Sequence, residues 1–217
     1  MPKGSDLNIQ QKRTLCWLNL AIMIACLATI IHSEGRAKVK ERIALRPIGE
    51  IDQKVMVRLR ERLEESFKAE VEVVEPMEVP ENAYTPGRGQ YHSTPILDKV
   101  RGFSGAGDFD KALGIIDVDL YVPGLNFVFG EASPAEGVAI ISLVRLRQEY
   151  YGLPKDEELF LERVVKEAVH ELGHLYGLRH CRNPKCVMYF SNSLVDTDRK
   201  GSTFCPEHQR QLELTMG

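Results

Sequence analysis

A histidine-rich stretch in the last quarter of the sequence constrains this chain more than any other feature. It consists of His170, Glu171, Leu172, Gly173 and His174, then Gly177, and then His180. Residues four apart share one face of a helix, so His170 and His174 can bind one metal ion together. Gly177 can adopt a positive φ and end the helix, which lets the chain turn back and bring in His180 as a third ligand. Three protein ligands leave one position open for water, as in catalytic zinc sites.

Glu171 directly follows the first of these histidines and is placed to act on a metal-bound water rather than on the metal. We predict that Glu171 is the catalytic base, which takes a proton from the attacking water and delivers it to the leaving amine. The five-residue core alone could occur by chance on an amphipathic helix. The addition of Gly177, His180 and the later Met188 makes the pattern specific.

Three cysteines and one more histidine follow the motif, all of them residue types that bind zinc. They are Cys181, Cys186, Cys205 and His208. Over about residues 38–217 the sequence resembles the archaemetzincins, metzincin-type zinc peptidases whose long histidine motif runs directly into a four-ligand, cysteine-rich second zinc site. That family usually ends the second site with cysteine, whereas this chain has His208, which is also an ordinary zinc ligand. A disulfide between Cys181 and Cys186 is the alternative for this region.

The resemblance implies an α/β, metzincin-like catalytic domain: a twisted mixed sheet of about five strands, packing helices, an active-site helix and a Met-turn at Met188. It implies two zinc ions per chain, one catalytic and one structural, and hydrolysis of peptide bonds in a peptide or protein substrate. By resemblance, Asn126–Glu131 is the exposed edge that pairs with extended substrate by strand addition. The alternative is a non-catalytic zinc-binding interaction module, which would have no use for Glu171 beside an open three-histidine site.

Composition and charge restrict the remaining possibilities. The 217 residues are 43% apolar, enough to bury one core. A net charge of −3 provides no basic footprint for nucleic acid, so we expect no nucleic-acid partner. We also expect a monomer.

Residues 14–31 form an uncharged, largely apolar run, and eighteen residues are just enough to cross a bilayer as a helix. We predict an apolar transmembrane helix within an N-terminal segment, residues 1–34, ahead of the catalytic domain at residues 35–217. The protein would then be membrane-anchored, on an undecided side because Lys and Arg flank both ends of the run. A signal peptide or a peripheral helix remains open, with a cytoplasmic or secreted location as the alternative.

Hydrophobic periodicity predicts the other elements. Strands are expected at residues 42–46, 71–74, 114–122, 127–130 and 138–143, helices at residues 50–67, 156–177 and 207–215, and a long loop at residues 76–108. Within this loop Arg88, Gln90, Tyr91 and His92 either line a substrate groove or are bound locally. Asp117 and Asp119 share one face of a predicted strand and serve either acid–base chemistry or the binding of groups at the strand end.

Overall fold

The computed structural model describes residues 40–104 and 109–217, and Lys40–Gly217 form one compact unit. Short 3-10 turns occur at Glu81–Ala83, Val144–Leu146 and Gln148–Tyr151. In chain order the helices and strands are β1 (Arg42–Ile48), α1 (Gln53–Phe67), β2 (Glu70–Val73), β3 (Tyr84–Thr85), β4 (Gln90–His92), α2 (Ser93–Ser104), β5 (Lys111–Ile116), β6 (Leu120–Tyr121), β7 (Gly130–Ser133), β8 (Val138–Ser142), α3 (Glu157–Leu175), α4 (Leu194–Arg199) and α5 (Pro206–Met216).

The described residues form a mixed five-stranded sheet with the order β2-β1-β5-β8-β7. Its neighbours pair in parallel except β7, which runs antiparallel to β8 at one edge. The central strands β5 and β8 are almost entirely buried and apolar, because a parallel sheet is covered on both faces. This confirms the predicted mixed sheet of about five strands. Strand β7, which lies beside α3, is at the edge of the described sheet and pairs on one side only.

Alternating side chains of the sheet belong to two separate apolar cores. Ile43 and Leu45 of β1 pack in the core that includes α1 and α3. Ala44 and Ile48 of the same strand pack in the core that includes α2. Successive side chains of a strand point to opposite faces, so α1 with α3 covers one face of the sheet and α2 covers the other.

Helix α3, which carries the histidine motif, has well-defined ends. The Asp156 side chain accepts a hydrogen bond from the Leu159 backbone N–H at 3.0 Å, and two acidic residues occupy the first turn, where the helix dipole favours negative charge. The helix ends at Leu175, and Gly177 adopts a φ of +79°. The predicted helix and its glycine stop are confirmed, because Gly177 takes the conformation for which glycine is suited.

Tyr176, which caps the end of α3, joins several distant parts of the fold. Its hydroxyl donates a 2.6 Å hydrogen bond to the Glu41 carboxylate, which lies just ahead of β1. Its ring stacks on Phe67 at the end of α1, with 5.3 Å between centroids. The end of α3 is therefore bound to the start of β1 and to the end of α1.

Several predicted elements differ from the structure. The predicted loop at residues 76–108 contains helix α2 and two strands of a small sheet, whose order is β3-β4-β6. The single strand expected at residues 114–122 is divided between the two sheets as β5 and β6. The strand expected at residues 127–130 lies instead at Gly130–Ser133, which overlaps the predicted substrate edge, Asn126–Glu131, only at its last two residues. Helix α4 was not expected.

The predicted membrane anchor requires correction. Within residues 40–104 and 109–217, no helix combines the length and the apolar character needed to cross a bilayer, which contradicts the membrane-anchored location and the transmembrane helix. The stretch on which that prediction rested, residues 14–31, lies outside the described residues, as does the predicted N-terminal apolar helix. The anchor is therefore withdrawn.

Candidate active site

Three imidazole rings converge where the end of α3 meets the following turn. His170 and His174 lie one helical turn apart, with 4.7 Å between their ring centroids. The His180 ring lies 5.3 Å from the His170 ring and 4.9 Å from the His174 ring. One ring nitrogen from each residue lies within 4.8 Å of the others, so the three residues could hold one metal ion.

Backbone carbonyls determine which ring nitrogen of each helical histidine is free. His170 Nδ1 lies 2.9 Å from the Val187 carbonyl oxygen, and His174 Nδ1 lies 2.8 Å from that of Leu178. A carbonyl can only accept, so both Nδ1 atoms carry the proton and both Nε2 atoms present lone pairs. The two Nε2 atoms face each other at 3.1 Å. Two facing acceptors need a cation or a proton between them, so this arrangement fits a metal ion.

The electrostatic environment keeps these imidazoles neutral. Burial is the largest cause that lowers the pKa of each ring, and it takes the pKa of His170 well below its ordinary value of 6.5. The positive charge of Lys200 acts on all three rings in the same direction. A neutral imidazole is the form that binds metal, so the site favours ligation at neutral pH.

Glu171 lies against the edge strand of the sheet. Its side chain packs so closely on Gly130 of β7 that a Cβ atom there would lie 2.6 Å from Glu171 Cγ. Burial raises the pKa of the Glu171 carboxyl from 4.5 to about 8, and the negative charge of Glu167 adds to this effect. A carboxyl group with such a pKa can hold a proton and release it near neutral pH.

A cleft of about 440 Å³ opens between α3 and the edge of the sheet. The three histidines and Glu171 line it. The rest of the lining comes from residues 125–132, from residues 190–192 and from Glu167. We refer to the irregular segment Leu125–Phe129, which directly precedes β7, as the cleft wall.

A fully buried ion pair lies beside the cleft. Lys200 Nζ lies 3.0 Å from Glu167 Oε1, and the two side chains are 0% and 3% exposed. The Thr197 hydroxyl donates to the same carboxylate oxygen at 2.9 Å. Glu167 lies one helical turn before Glu171, so this pair connects α3 to the segment that follows α4.

Met188 lies beneath the histidine helix. It is fully buried, and a Cβ atom at Gly173 would lie 2.5 Å from its sulfur. Gly173 stands between the two helical histidines, so the absence of a side chain there allows the methionine to approach the helix backbone. The Met188 carbonyl oxygen also accepts a 2.8 Å hydrogen bond from the Cys181 N–H.

The cysteines and the last histidine form a second cluster. The Cys181 and Cys205 sulfurs lie 3.9 Å apart, and His208 Nδ1 lies 3.2 Å from the Cys205 sulfur and 3.9 Å from that of Cys186. His208 Nε2 donates to the Arg179 carbonyl oxygen at 3.0 Å, which leaves Nδ1 free to bind. Sulfurs around a tetrahedral zinc lie about 3.8 Å apart. The cluster fits such an ion, and its three cysteines are free thiols rather than a disulfide.

Sequence reasoning missed three residues of the cleft region. The predicted substrate edge, Asn126–Glu131, included Gly130, and a glycine within a strand often marks close backbone approach. Glu167, Lys200 and Phe190 gave no signal. Phe190 is half exposed in the cleft, with its ring centroid 4.8 Å from that of His180. Of the loop residues that could have lined the groove, Arg88, Gln90, Tyr91 and His92 do not line this cleft.

The sequence is similar to that of one peptidase family over most of its length. The family model described as peptidase family M54 matches residues 50–214. The archaemetzincin of Pyrococcus furiosus is 45% identical over 190 residues, which cover 82% of this chain and 96% of that protein. The chain belongs to peptidase family M54, the archaemetzincins. It is therefore a zinc metallopeptidase, a hydrolase that acts on a peptide or protein substrate, rather than a non-catalytic zinc module.

Solved structures of similar proteins support the fold. The archaemetzincin of Methanopyrus kandleri superposes with a TM-score of 0.72 at 40% identity, covering 84% of this chain and 98% of that one. A zinc-dependent peptidase from Methanocorpusculum labreanum superposes with a TM-score of 0.71 at 34% identity, covering 78% and 99%. At these identities the likeness extends to the family, and the α/β architecture predicted for the chain agrees with it.

Proposed function

We propose that this chain hydrolyses peptide bonds with zinc held by His170, His174 and His180 and with Glu171 as the general base. The observation that carries the proposal is the facing pair of Nε2 atoms, 3.1 Å apart, in two rings whose Nδ1 protons are bound by backbone carbonyls. When bound, zinc supplies Lewis-acid chemistry that polarises a carbonyl group and acidifies water at neutral pH.

Glu171 provides the proton transfers of the reaction. In its carboxylate form it accepts a proton from the attacking water, and in its acid form it delivers that proton to the leaving amine nitrogen. A zinc ion held by the adjacent histidines would favour the charged carboxylate and so lower the pKa that burial raises to about 8. The close contact with Gly130 fixes the carboxyl group beside the edge strand, where a substrate backbone would lie.

The edge strand provides the binding site for an extended peptide. β7 pairs with β8 on one side only within the described sheet, so its other edge offers backbone donors and acceptors to a substrate strand. A peptide added there would run through the cleft beside α3 and present a carbonyl group to the histidines. This replaces the predicted edge at Asn126–Glu131 with the observed strand Gly130–Ser133.

The second cluster is proposed as a structural zinc site of Cys181, Cys186, Cys205 and His208, which brings the total to two zinc ions per chain. Four protein ligands leave no position for water, as in structural sites. The segment from residue 179 to residue 205 contains little regular structure apart from α4, so an ion here would supply folding free energy that the local core lacks. Met188 would form the Met-turn below the catalytic ion.

Peptide hydrolysis by the purified full chain tests the proposal. A peptide library should be cleaved by the zinc-loaded protein and not after chelation, and zinc should restore the activity. Glu171→Gln should retain zinc and fold but lose cleavage by several orders of magnitude, since it removes the base and not a ligand. Glu162→Gln, on an exposed position of the same helix, is the matched control and should cleave at the wild-type rate.

Histidine variants test the ligands separately. His174→Ala should lose one zinc ion together with the activity, whereas His92→Ala, which lies outside the cleft, should retain both. Parent-rate cleavage by Glu171→Gln, or an unchanged zinc content in His174→Ala, would contradict the proposed roles.

A further inference from the structure

Polar side chains behind the cleft wall hold its backbone in place. Arg88 Nη2 donates to the carbonyl oxygens of Leu125 and Asn126 at 3.0 Å and 2.9 Å. Gln90 Nε2 donates to the Asn126 carbonyl oxygen at 2.9 Å, and the Gln90 side chain also accepts from Arg88 Nε. Backbone bonds hold the other end of the wall, where the Val128 N–H donates to the Leu120 carbonyl oxygen and the Phe129 carbonyl oxygen accepts from the Ser142 N–H. Arg88 and Gln90 supply the bonds at Leu125 and Asn126.

Asp119 binds both Gln90 and Arg145, and Arg145 contacts the aromatic ring of Phe127 in the wall. The two Asp119 oxygens accept from Arg145 Nε and Nη2 at 2.6 Å and 2.7 Å, and Oδ2 also accepts from Gln90 at 3.1 Å. The Arg145 guanidinium lies over the Phe127 ring, 4.3 Å from its centroid. One carboxylate therefore orients both Gln90, which binds the wall backbone, and Arg145, which supports a wall side chain.

A second bidentate Asp–Arg pair lies nearby but does not contact the cleft wall. Asp117 accepts from Arg147 Nη1 and Nη2 at 2.6 Å and 2.8 Å. Arg147 lies over the ring of Phe160, in α3, and neither that ring nor the pair lines the cleft. The Asp119–Arg145 side chains are 15% and 18% exposed, against 36% and 31% for Asp117–Arg147. An ordinary pair at a strand end would resemble the second, whereas the first supports the wall.

We propose that Asp119 is a positioning residue for peptide hydrolysis, holding the cleft wall where an extended substrate binds. The wall runs directly into β7, so a peptide paired with β7 beside the histidines reaches the wall with its next residues. If Asp119 loses its charge, its bonds to Gln90 and Arg145 weaken, so the start of the wall is held mainly by Arg88 and is displaced more easily. The proposal rests on the proposed function, because it concerns the binding of the substrate which that function requires.

The test compares Asp119→Asn with Asp117→Asn in the zinc-loaded full chain. Each change removes one charge from a bidentate pair with almost no change of shape. Two peptides share one cleavage site: a long one of about ten residues, roughly 33 Å when extended, and a short one of about three residues. For Asp119→Asn we expect KM for the long peptide to rise about tenfold, with kcat and zinc content nearly unchanged. KM for the short peptide should change less, and Asp117→Asn should match wild type.

Two further measurements separate positioning from general instability. Asp119→Glu keeps the charge and should restore much of the long-peptide KM, and Arg145→Lys, which loses the bidentate bond, should raise it. Amide hydrogen exchange should quicken in the cleft wall in Asp119→Asn and not in Asp117→Asn.

The proposal is overturned if Asp119→Asn keeps the wild-type KM, if both Asn variants raise KM equally, or if both peptides are affected equally. If the zinc-loaded wild type cleaves no peptide, the proposed function fails instead. Hydrogen exchange then decides the positioning role, and unchanged exchange in the wall of Asp119→Asn overturns it.

Discussion

Gly130 offers the sharpest test of how closely the edge strand and the proposed base must approach. A Cβ atom at this position would lie 2.6 Å from Glu171 Cγ and 2.7 Å from the Ile140 carbonyl oxygen. Ordinary contact begins at 3.4 Å, so Gly130→Ala must separate Glu171 from the strand by about 0.8 Å (3.4 − 2.6). The Ile140 oxygen belongs to the backbone of β8 and cannot move aside as a side chain can.

The expected cost follows from this displacement. Overpacking of this kind lowers the free energy of unfolding by about 1–3 kcal/mol. For a chain of this size, 1 kcal/mol lowers the melting temperature by about 2–4 °C, so we expect a decrease of about 2–12 °C. A catalytic group displaced by almost 1 Å loses on the order of 100-fold in rate, so kcat should fall by about that factor while zinc content stays constant.

Two other glycines provide matched controls, with circular dichroism for melting and peptide cleavage for kcat. A Cβ atom at Gly114 would lie 2.8 Å from Ile48 Cδ1, so Gly114→Ala should also lower the melting temperature, but it lies away from Glu171 and should keep kcat. Gly87 has nothing within 4 Å, and Gly87→Ala should be neutral. Wild-type kcat in Gly130→Ala, or an equal loss of kcat in Gly114→Ala, would refute the reasoning.

Three further predictions concern metal, pH and the buried pair. Metal analysis should find two zinc ions in wild type and one in either His174→Ala or Cys186→Ser; a single zinc in wild type would rule out the second site. In metal-free protein, burial raises the pKa of Glu171 from 4.5 to about 8, so the stability linked to this group is greatest below pH 4.5 and falls by up to about 5 kcal/mol as pH rises towards 8. The buried histidines, whose pKa values are lowered, contribute stability that rises with pH in both proteins, so the test is the difference between wild type and Glu171→Gln in urea unfolding. Between about pH 5.5 and about pH 8.5 wild type should lose about 3 kcal/mol relative to Glu171→Gln. Lys200→Met should lower the free energy of unfolding by about 3–5 kcal/mol, since it leaves Glu167 charged and buried, and a Glu167→Leu/Lys200→Met double variant should recover most of it.

The sequence predicted the helix that carries the histidines, because local rules determine that element. Helical spacing places His170 and His174 on one face, acidic residues favour the start, and Gly177 favours the end. The spacing of the motif identified the three histidines, and the zinc-binding residue types with the resemblance to archaemetzincins identified the second group, and the structure brings each group together. These features depend on spacing within short stretches, which a sequence displays directly.

Other features depend on partners far away in the chain. Residues 114–122 do alternate between apolar and polar side chains, but alternation does not show which sheet a strand joins. The division of this stretch between two sheets after Ile116 could therefore not be predicted. Strands β3 and β4 have two and three residues, too few for a period. Pro95 argued against a helix at α2, but it lies in the first turn of that helix, where proline is tolerated. The pairing of Lys200 with Glu167 crosses between elements and has no local signature.

The contact between Tyr176 and Glu41 also gives the molecule a mechanical property. The hydrogen bond joins residues 135 positions apart, at the start of the first described strand and at the end of the helix that carries His170 and His174. Parallel neighbours hold β1 on both sides, so a pulling force applied ahead of residue 40 would load β1 in shear. Part of that load would pass through the Tyr176 hydroxyl to the histidine helix. Tension applied there would therefore be carried by the end of the histidine helix as well as by the sheet.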